Sequence, residues 1–234
     1  MPILAPPPKS ASAPAALPAA ARVTPDPVAE PAERPGYPTE RQLRAAGLPR
    51  DGEPVSEDAF YRLPVSPAVR AEWIDGHVEY LPMPDERHQN VQWHLMDALR
   101  AAVRAAVIPA KVMFAGLRTR VTDTRHRDPD VQMLLDRNDP RRENRRWLGA
   151  DLAVEVVSED DPRRDYVTKR REYLAAGVLE YWIVDPRPRF RRITVLVRDG
   201  DAWRERVFTD GDTATGELVA GFAVDVTACL DADG

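Results

Sequence analysis

A mixed α/β fold, a central β-sheet flanked by helices, is predicted for this chain by three observations. Helix-period and strand-period segments interleave without a regular βαβ repeat, which favours a mixed sheet over a wholly parallel one. A long segment, about residues 85–107, carries Val91, Leu95, Leu99 and Val103 at four-residue steps with Met96 beside them, the stripe of an amphipathic helix. Two runs, Leu152–Val157 and Tyr181–Val184, are apolar at successive positions and read as strands covered on both faces.

The chain begins with a segment of different character. Residues 1–38 hold Pro6, Pro7, Pro8, Pro14, Pro18, Pro25, Pro27, Pro31, Pro35 and Pro38 among alanines, with no aromatic before Tyr37. Proline at that density removes backbone donors and blocks both ladders, so a disordered tail is expected. Residues 39–54 read as a linker with a weak helix over Glu40–Ala46, closed by Gly47 and Pro49. The folded domain is placed at 55–234. Ser56 can cap a short helix. Arg70–Ile74 and His77–Leu81 flank Asp75-Gly76, a strong hairpin signal. Pro109 ends the long helix. Lys111–Phe114 and Leu117–Val121 then read as a strand pair around Gly116, and Val131–Leu135 as a short strand. A helix over about 163–176, stopped by Gly177, follows the Leu152–Val157 strand. Ile193–Val197 and Trp203–Val207 form a last hairpin across Asp199-Gly200.

Composition excludes several classes. The chain has 234 residues, 43% hydrophobic and 30% charged, enough for one core of ordinary size. A net charge of −5 rules out a protein that coats nucleic acid by bulk charge, so such contacts must come from local patches. Cys229 is the single cysteine, which excludes an internal disulfide framework and a cysteine-based zinc site. No apolar run reaches the ~18 residues of a membrane span, and no signal-peptide pattern opens the chain, so a cytoplasmic location is expected. His77, His88, His94 and His126 lack paired ligand spacing, which argues against zinc. Gly-rich phosphate loops and dinucleotide fingerprints are absent.

Glu155 stands out because it interrupts a run otherwise apolar on both faces. A buried carboxylate costs several kcal/mol unless it is paired or binds a metal. Strand alternation puts Ala153, Glu155 and Val157 on one face. Asp130 directly precedes another apolar strand, and two carboxylates on neighbouring strands make a hard-oxygen site suited to Mg2+ or Mn2+. Asp165, Lys169 and Tyr173 are spaced four apart on the helix that returns over Glu155, so Lys169 can reach the carboxylates. Two acids and an ammonium suit phosphodiester hydrolysis.

The segments Arg70-Ala71-Glu72-Trp73-Ile74-Asp75-Gly76, Glu86-Arg87-His88-Gln89, Asp128-Pro129-Asp130-Val131, Leu152 through Ser158, and Lys169 through Tyr173 to Gly177–Pro186 occur in that order. Together they resemble the Uma-two family of restriction endonuclease-like proteins, in the PD-(D/E)XK nuclease superfamily. The resemblance covers roughly residues 55–210. It implies a restriction endonuclease-like fold and a metal-dependent endonuclease acting on DNA, with Asp130 and Glu155 as the metal carboxylates. The superfamily pattern would place lysine at position 157, which is valine here; the resemblance implies that Lys169 supplies it. His88 and Glu72 are secondary site candidates. A homodimer is expected by analogy, because symmetric cleavage of duplex DNA needs two sites.

Plainer readings stand beside these. Asp130 could be a turn residue, Glu155 half of a structural ion pair, and Lys169 a partner of Asp165 alone. Arg141, Arg145, Arg163 and Arg170 are candidate nucleic-acid contacts, though neighbouring acids make solvated faces nearly as good an explanation. Trp147 could stack on a base or cap the core. The alternative function is a catalytically inactive nuclease-fold domain used in binding or assembly.

Overall fold

The computed structural model describes residues 34–64 and 69–233. Most of the expected N-terminal tail lies outside those residues. Helix α1, Glu40–Ala45, opens behind Thr39, whose hydroxyl and Gln42 form a reciprocal capping box. Helix α2 is Glu57–Phe60, capped by Ser56. Strands β1 (Arg70–Ile74) and β2 (His77–Leu81) pair in register, with Trp73 opposite Val78. Their two-residue turn needs positive φ at both positions, and Asp75 (49°) and Gly76 (86°) supply it.

The linker expected at 39–54 is folded against this hairpin instead. Leu43 is buried in a cluster with Phe60, Trp73, Val78 and Tyr80, and Pro54 bridges to His77. Asp51 accepts from the Tyr80 amide at 2.9 Å. A short amphipathic piece with one large apolar residue looks like a linker until the surface that receives that residue is known.

The long helix α3 runs Glu86–Ala105 and buries Val91, Leu95, Leu99 and Val103 as the four-residue steps require; Asp85 caps it by accepting from the His88 amide. Strands β3 (Lys111–Phe114), β4 (Arg118–Thr122), β5 (Arg125–Arg127), β6 (Val131–Leu134), β7 (Arg146–Trp147) and β8 (Leu152–Val156) follow. A π-helical turn over Arg164–Lys169 runs into α4, Arg170–Ala175. Strands β9 (Glu180–Asp185), β10 (Arg192–Asp199), β11 (Ala202–Phe208), β12 (Thr213–Thr215) and β13 (Ala223–Asp225) and helix α5 (Val226–Leu230) complete the chain.

The strands do not all join one sheet. The six-stranded sheet has the order β11-β10-β9-β8-β6-β3 and the five-stranded sheet the order β2-β1-β5-β4-β7. Both are mixed: β8–β9 and β4–β7 are parallel and the other pairs antiparallel. The expected pairing of β3 with β4 is corrected here. β3 pairs with β6 and β4 with β5, so the Gly116 turn carries the chain from one sheet to the other. On one face of the six-stranded sheet, Val131, Met133, Leu152, Val154 and Val156 pack on α3 and on the C-terminal segment through Phe222, Val224 and Leu230. On the other face, Ala153, Val157, Tyr181 and Ile183 pack with Tyr173 and Val121. Among the described residues no helix is long and apolar enough to cross a membrane.

Candidate active site

Antiparallel register places the two expected acids together. Val131 pairs with Val154, so the next position outward sets Asp130, just before β6, across from Glu155. Val156 donates its amide to Asp130 Oδ2 at 2.8 Å, tying the carboxylate to the neighbouring strand. The Asp130 carbonyl accepts from the Ala115 amide at 3.0 Å and from Gln92 Nε2 at 2.6 Å. Asp130 is therefore held by β8, by the turn between the sheets and by α3.

Lys169 reaches the site as its helical face predicts. Its ammonium lies 2.8 Å from Glu155 Oε2 and 3.0 Å from Asp165 Oδ1, with all three side chains at most 6% exposed. The Tyr173 hydroxyl donates to Glu155 Oε1 at 2.5 Å. Within the π-helical turn Lys169 bridges Asp165 and Glu155, and the Asp165 carbonyl accepts from the Tyr181 hydroxyl at 3.1 Å. Asp165 belongs to the site though sequence reasoning gave it no role there; its four-residue spacing from Lys169 was the available signal. Val157 is buried among apolar side chains, so the ammonium comes from the helix and not from that strand position.

His88 stands at the first turn of α3, and its Nε2 lies 3.1 Å from Asp130 Oδ1. Arg70, the other neighbour of that oxygen, lies 3.4 Å away and also holds Asp128. No sequence signal singled Arg70 out, because only the pairing of β1 with β5 brings it beside the Asp128–Asp130 bend. Arg70, His88, Asp130, Glu155, Asp165 and Lys169 line one cavity of about 570 Å3.

Glu72 is placed elsewhere. It is fully buried, accepts from Arg127 at 2.6 Å and from the Asp128 amide at 3.1 Å, and does not line the cavity. Burial pushes its carboxyl up, but Arg127 and Lys169 outweigh that and bring it down to about 2. It braces the chain behind Asp130. The four candidate nucleic-acid arginines are not gathered at the cavity either. Arg141 pairs with Asp139 and Asp151 beyond the far end of β8, Arg170 pairs with Glu205, and Arg145 donates to the Tyr61 carbonyl. Arg163 is exposed next to Arg164, which does line the cavity. Trp147 is buried in the core, not free to stack on a base.

The electrostatics of the cavity are unequal. Burial pushes Asp130 up, but His88, Arg70 and Lys169 outweigh it and hold the group well below the usual carboxylate range. Glu155 goes the other way. Burial drives it up to about 8, aided by Asp130 and Asp165, against the pull of Lys169. Burial lowers Lys169 while Asp165 and Glu155 raise it, and the acids prevail. Burial likewise lowers His88, and Asp130 more than offsets it. Glu155 and Asp165 thus share one ammonium, and positive charge is short on that side of the cavity.

This donor set suits a hard divalent cation, since Asp130 and Glu155 offer carboxylate oxygens and the local charge deficit favours one. Among the described residues no three acidic, histidine or cysteine side chains converge into a closed cage. Mg2+ does not require one, because it keeps several waters and takes one or two carboxylates.

Residues 57–227 match the Uma2 family model, whose description reads "Putative restriction endonuclease". The fold is similar to that of a crystal structure from Anabaena variabilis ATCC 29413, described as "a putative nuclease belonging to DUF820", with a TM-score of 0.62. The two are 20% identical, and the match covers 76% of this chain and 99% of that one. No curated protein matches the chain.

Proposed function

The chain belongs to the Uma2 family of restriction endonuclease-like proteins, and from that membership and the site's geometry we propose that it hydrolyses phosphodiester bonds in DNA with Mg2+ or Mn2+. One observation carries the reading. Asp130, just before β6, and Glu155, on the paired strand β8, stand at the wall of one cavity, with Lys169 bonded to Glu155.

Asp130 and Glu155 would hold the cation. A divalent ion so held supplies a Lewis acid and lowers the pKa of a water. The protein's own groups divide the remaining work. His88 and the Val156 amide fix the Asp130 carboxylate from two sides. Tyr173 fixes one Glu155 oxygen and leaves the other to Lys169. The Lys169 ammonium orients the attacking water and offsets negative charge that grows on the phosphoryl oxygens. Arg87, Arg164 and Arg187 on the cavity wall form a basic rim for flanking phosphates. A homodimer would give the two sites that a double-strand break requires, and a cytoplasmic location fits the single buried cysteine.

The second reading, an inactive domain serving binding or assembly, has its own support. The Asp130 and Glu155 oxygens already accept from Val156, His88, Arg70, Tyr173 and Lys169. Plasmid cleavage separates the two. Supercoiled DNA is incubated with wild type, Asp130→Ala and Glu155→Ala in Mg2+ or Mn2+, and single-stranded DNA is tested in parallel. Cation-dependent nicking lost in both variants is the expected result. A folded wild type that cleaves neither substrate in either ion would replace the nuclease reading with the second one.

A further inference from the structure

We propose that Arg70 is a further catalytic residue, the guanidinium that binds a non-bridging oxygen of the phosphodiester in the cavity; this rests on the nuclease reading and names the anion-binding group within it. Arg70 opens β1 opposite Leu81, where the hairpin's end meets the Asp128–Asp130 bend. Its Nε donates to Asp128 Oδ2 at 3.1 Å, and its Nη2 donates to the Asp128 carbonyl at 3.1 Å and to Asp130 Oδ1 at 3.4 Å. A guanidinium carries five N–H donors in a rigid plane. Among the described residues these bonds leave Nη1 without a protein acceptor, although the side chain is only 15% exposed and lies on the cavity wall. Nη1 is not sealed from solvent but opens to the cavity, where an anion can accept from it directly.

The other cations around the cavity are differently placed. Lys169 is shared between Glu155 and Asp165, and His88 is bonded to Asp130. Arg187 is engaged through Nε and Nη2 by Asp185. Among the described cations on the cavity wall, Arg70 is the guanidinium that combines contact with Asp130 and a fixed plane with an open donor edge. Asp128 sets that plane in advance, so little side-chain entropy is lost when the fork meets a phosphate.

The test uses the full chain and one oligonucleotide sequence, prepared as a series in which a single phosphodiester is replaced by a neutral methylphosphonate. Binding is read by fluorescence anisotropy in Ca2+ at fixed ionic strength, and by KM and kcat for cleavage in Mg2+ where binding is too weak to titrate. Wild type should bind about 10–100-fold less tightly when one particular linkage is neutral. Arg70→Gln should lose a similar factor on the native strand. It should match wild type within about twofold on the strand neutral at that linkage, because the lost partner is then absent from both sides of the comparison. Arg70→Lys, which keeps the charge without the fork, should fall between, and carries the comparison should Arg70→Gln melt too low to assay. Equal losses on every strand, the neutral one included, would assign Arg70 a purely structural role and overturn the proposal while leaving the nuclease reading intact. A wild type that neither binds nor cleaves any strand would remove both.

Discussion

Replacing Lys169 with methionine tests the charge balance of the cavity directly. The ammonium sits 2.8 Å from Glu155 and 3.0 Å from Asp165, and none of the three side chains is more than 6% exposed. Methionine fills similar space and removes the charge. Glu155, already driven up by burial, is pushed further up once the ammonium that lowers it is gone. Asp165 is left without its cation, and burial raises it further. The cost of that orphaned carboxyl has a ceiling, the free energy of protonating it from its unfolded pKa near 4, about 1.4 kcal/mol per pH unit. At pH 7.5 the ceiling is about 5 kcal/mol, consistent with the ~3–5 kcal/mol typical of breaking a buried pair. At pH 5 it is about 1.5 kcal/mol. The sign follows from linkage: a carboxyl raised in the folded state contributes stability below its unfolded pKa and loses it as pH rises toward the folded one. Urea titrations at pH 5 and 7.5 should therefore show a midpoint deficit that grows with pH, about 1.5–2.5 M at pH 7.5 for a slope near 2 kcal/mol/M. A deficit of the same size at both pH values would refute the reasoning, since lost packing and not lost charge would then be the cause.

Other predictions concern the scaffold. His126 is fully buried with Arg118, Arg120 and Arg146 nearby, and burial followed by those charges brings its pKa down to about 4; its imidazole resonances should titrate near that value, and stability should decline as pH falls from about 6.5 toward 4. A midpoint near 6.5 would show that the ring opens to water. At Gly216 an added Cβ would lie 2.5 Å from Glu180 Oε1, an acid that is itself held by Trp182, Glu217 and Leu218. Gly216→Ala should cost roughly 2–4 kcal/mol in chemical denaturation, whereas Gly211→Ala, with open space around it, should lose only about 1 kcal/mol from its positive φ. Leu43→Ala should cost about 2–4 kcal/mol in the main transition if α1 folds with the domain, and an unchanged midpoint would return residues 39–54 to linker status.

The legible parts of the site share a physical feature: each depends on local periodicity. Glu155 was readable because strand alternation assigns its face and an apolar run makes a carboxylate there conspicuous. Lys169 and Asp165 were readable as one helical face. Arg70 was not, since a strand-opening arginine looks the same whether it faces water or a carboxylate. Its role arises from β1–β5 pairing between residues 51 and 53 positions apart. Glu72 shows the converse. It resembles a site acid in sequence, but its partner Arg127 arrives from another strand and makes it a brace.

By itself the sequence determined the elements with strong period or turn chemistry: the α3 stripe, the Asp75-Gly76 hairpin, the buried runs β8 and β9, and the family to which their order points. The division into two sheets, the docking of residues 39–54, the π-helical turn and the choice of guanidinium beside Asp130 were decided only in three dimensions. Backbone propensity acts over a few residues, whereas register, burial and the pairing of charges depend on which distant segment supplies the neighbouring surface.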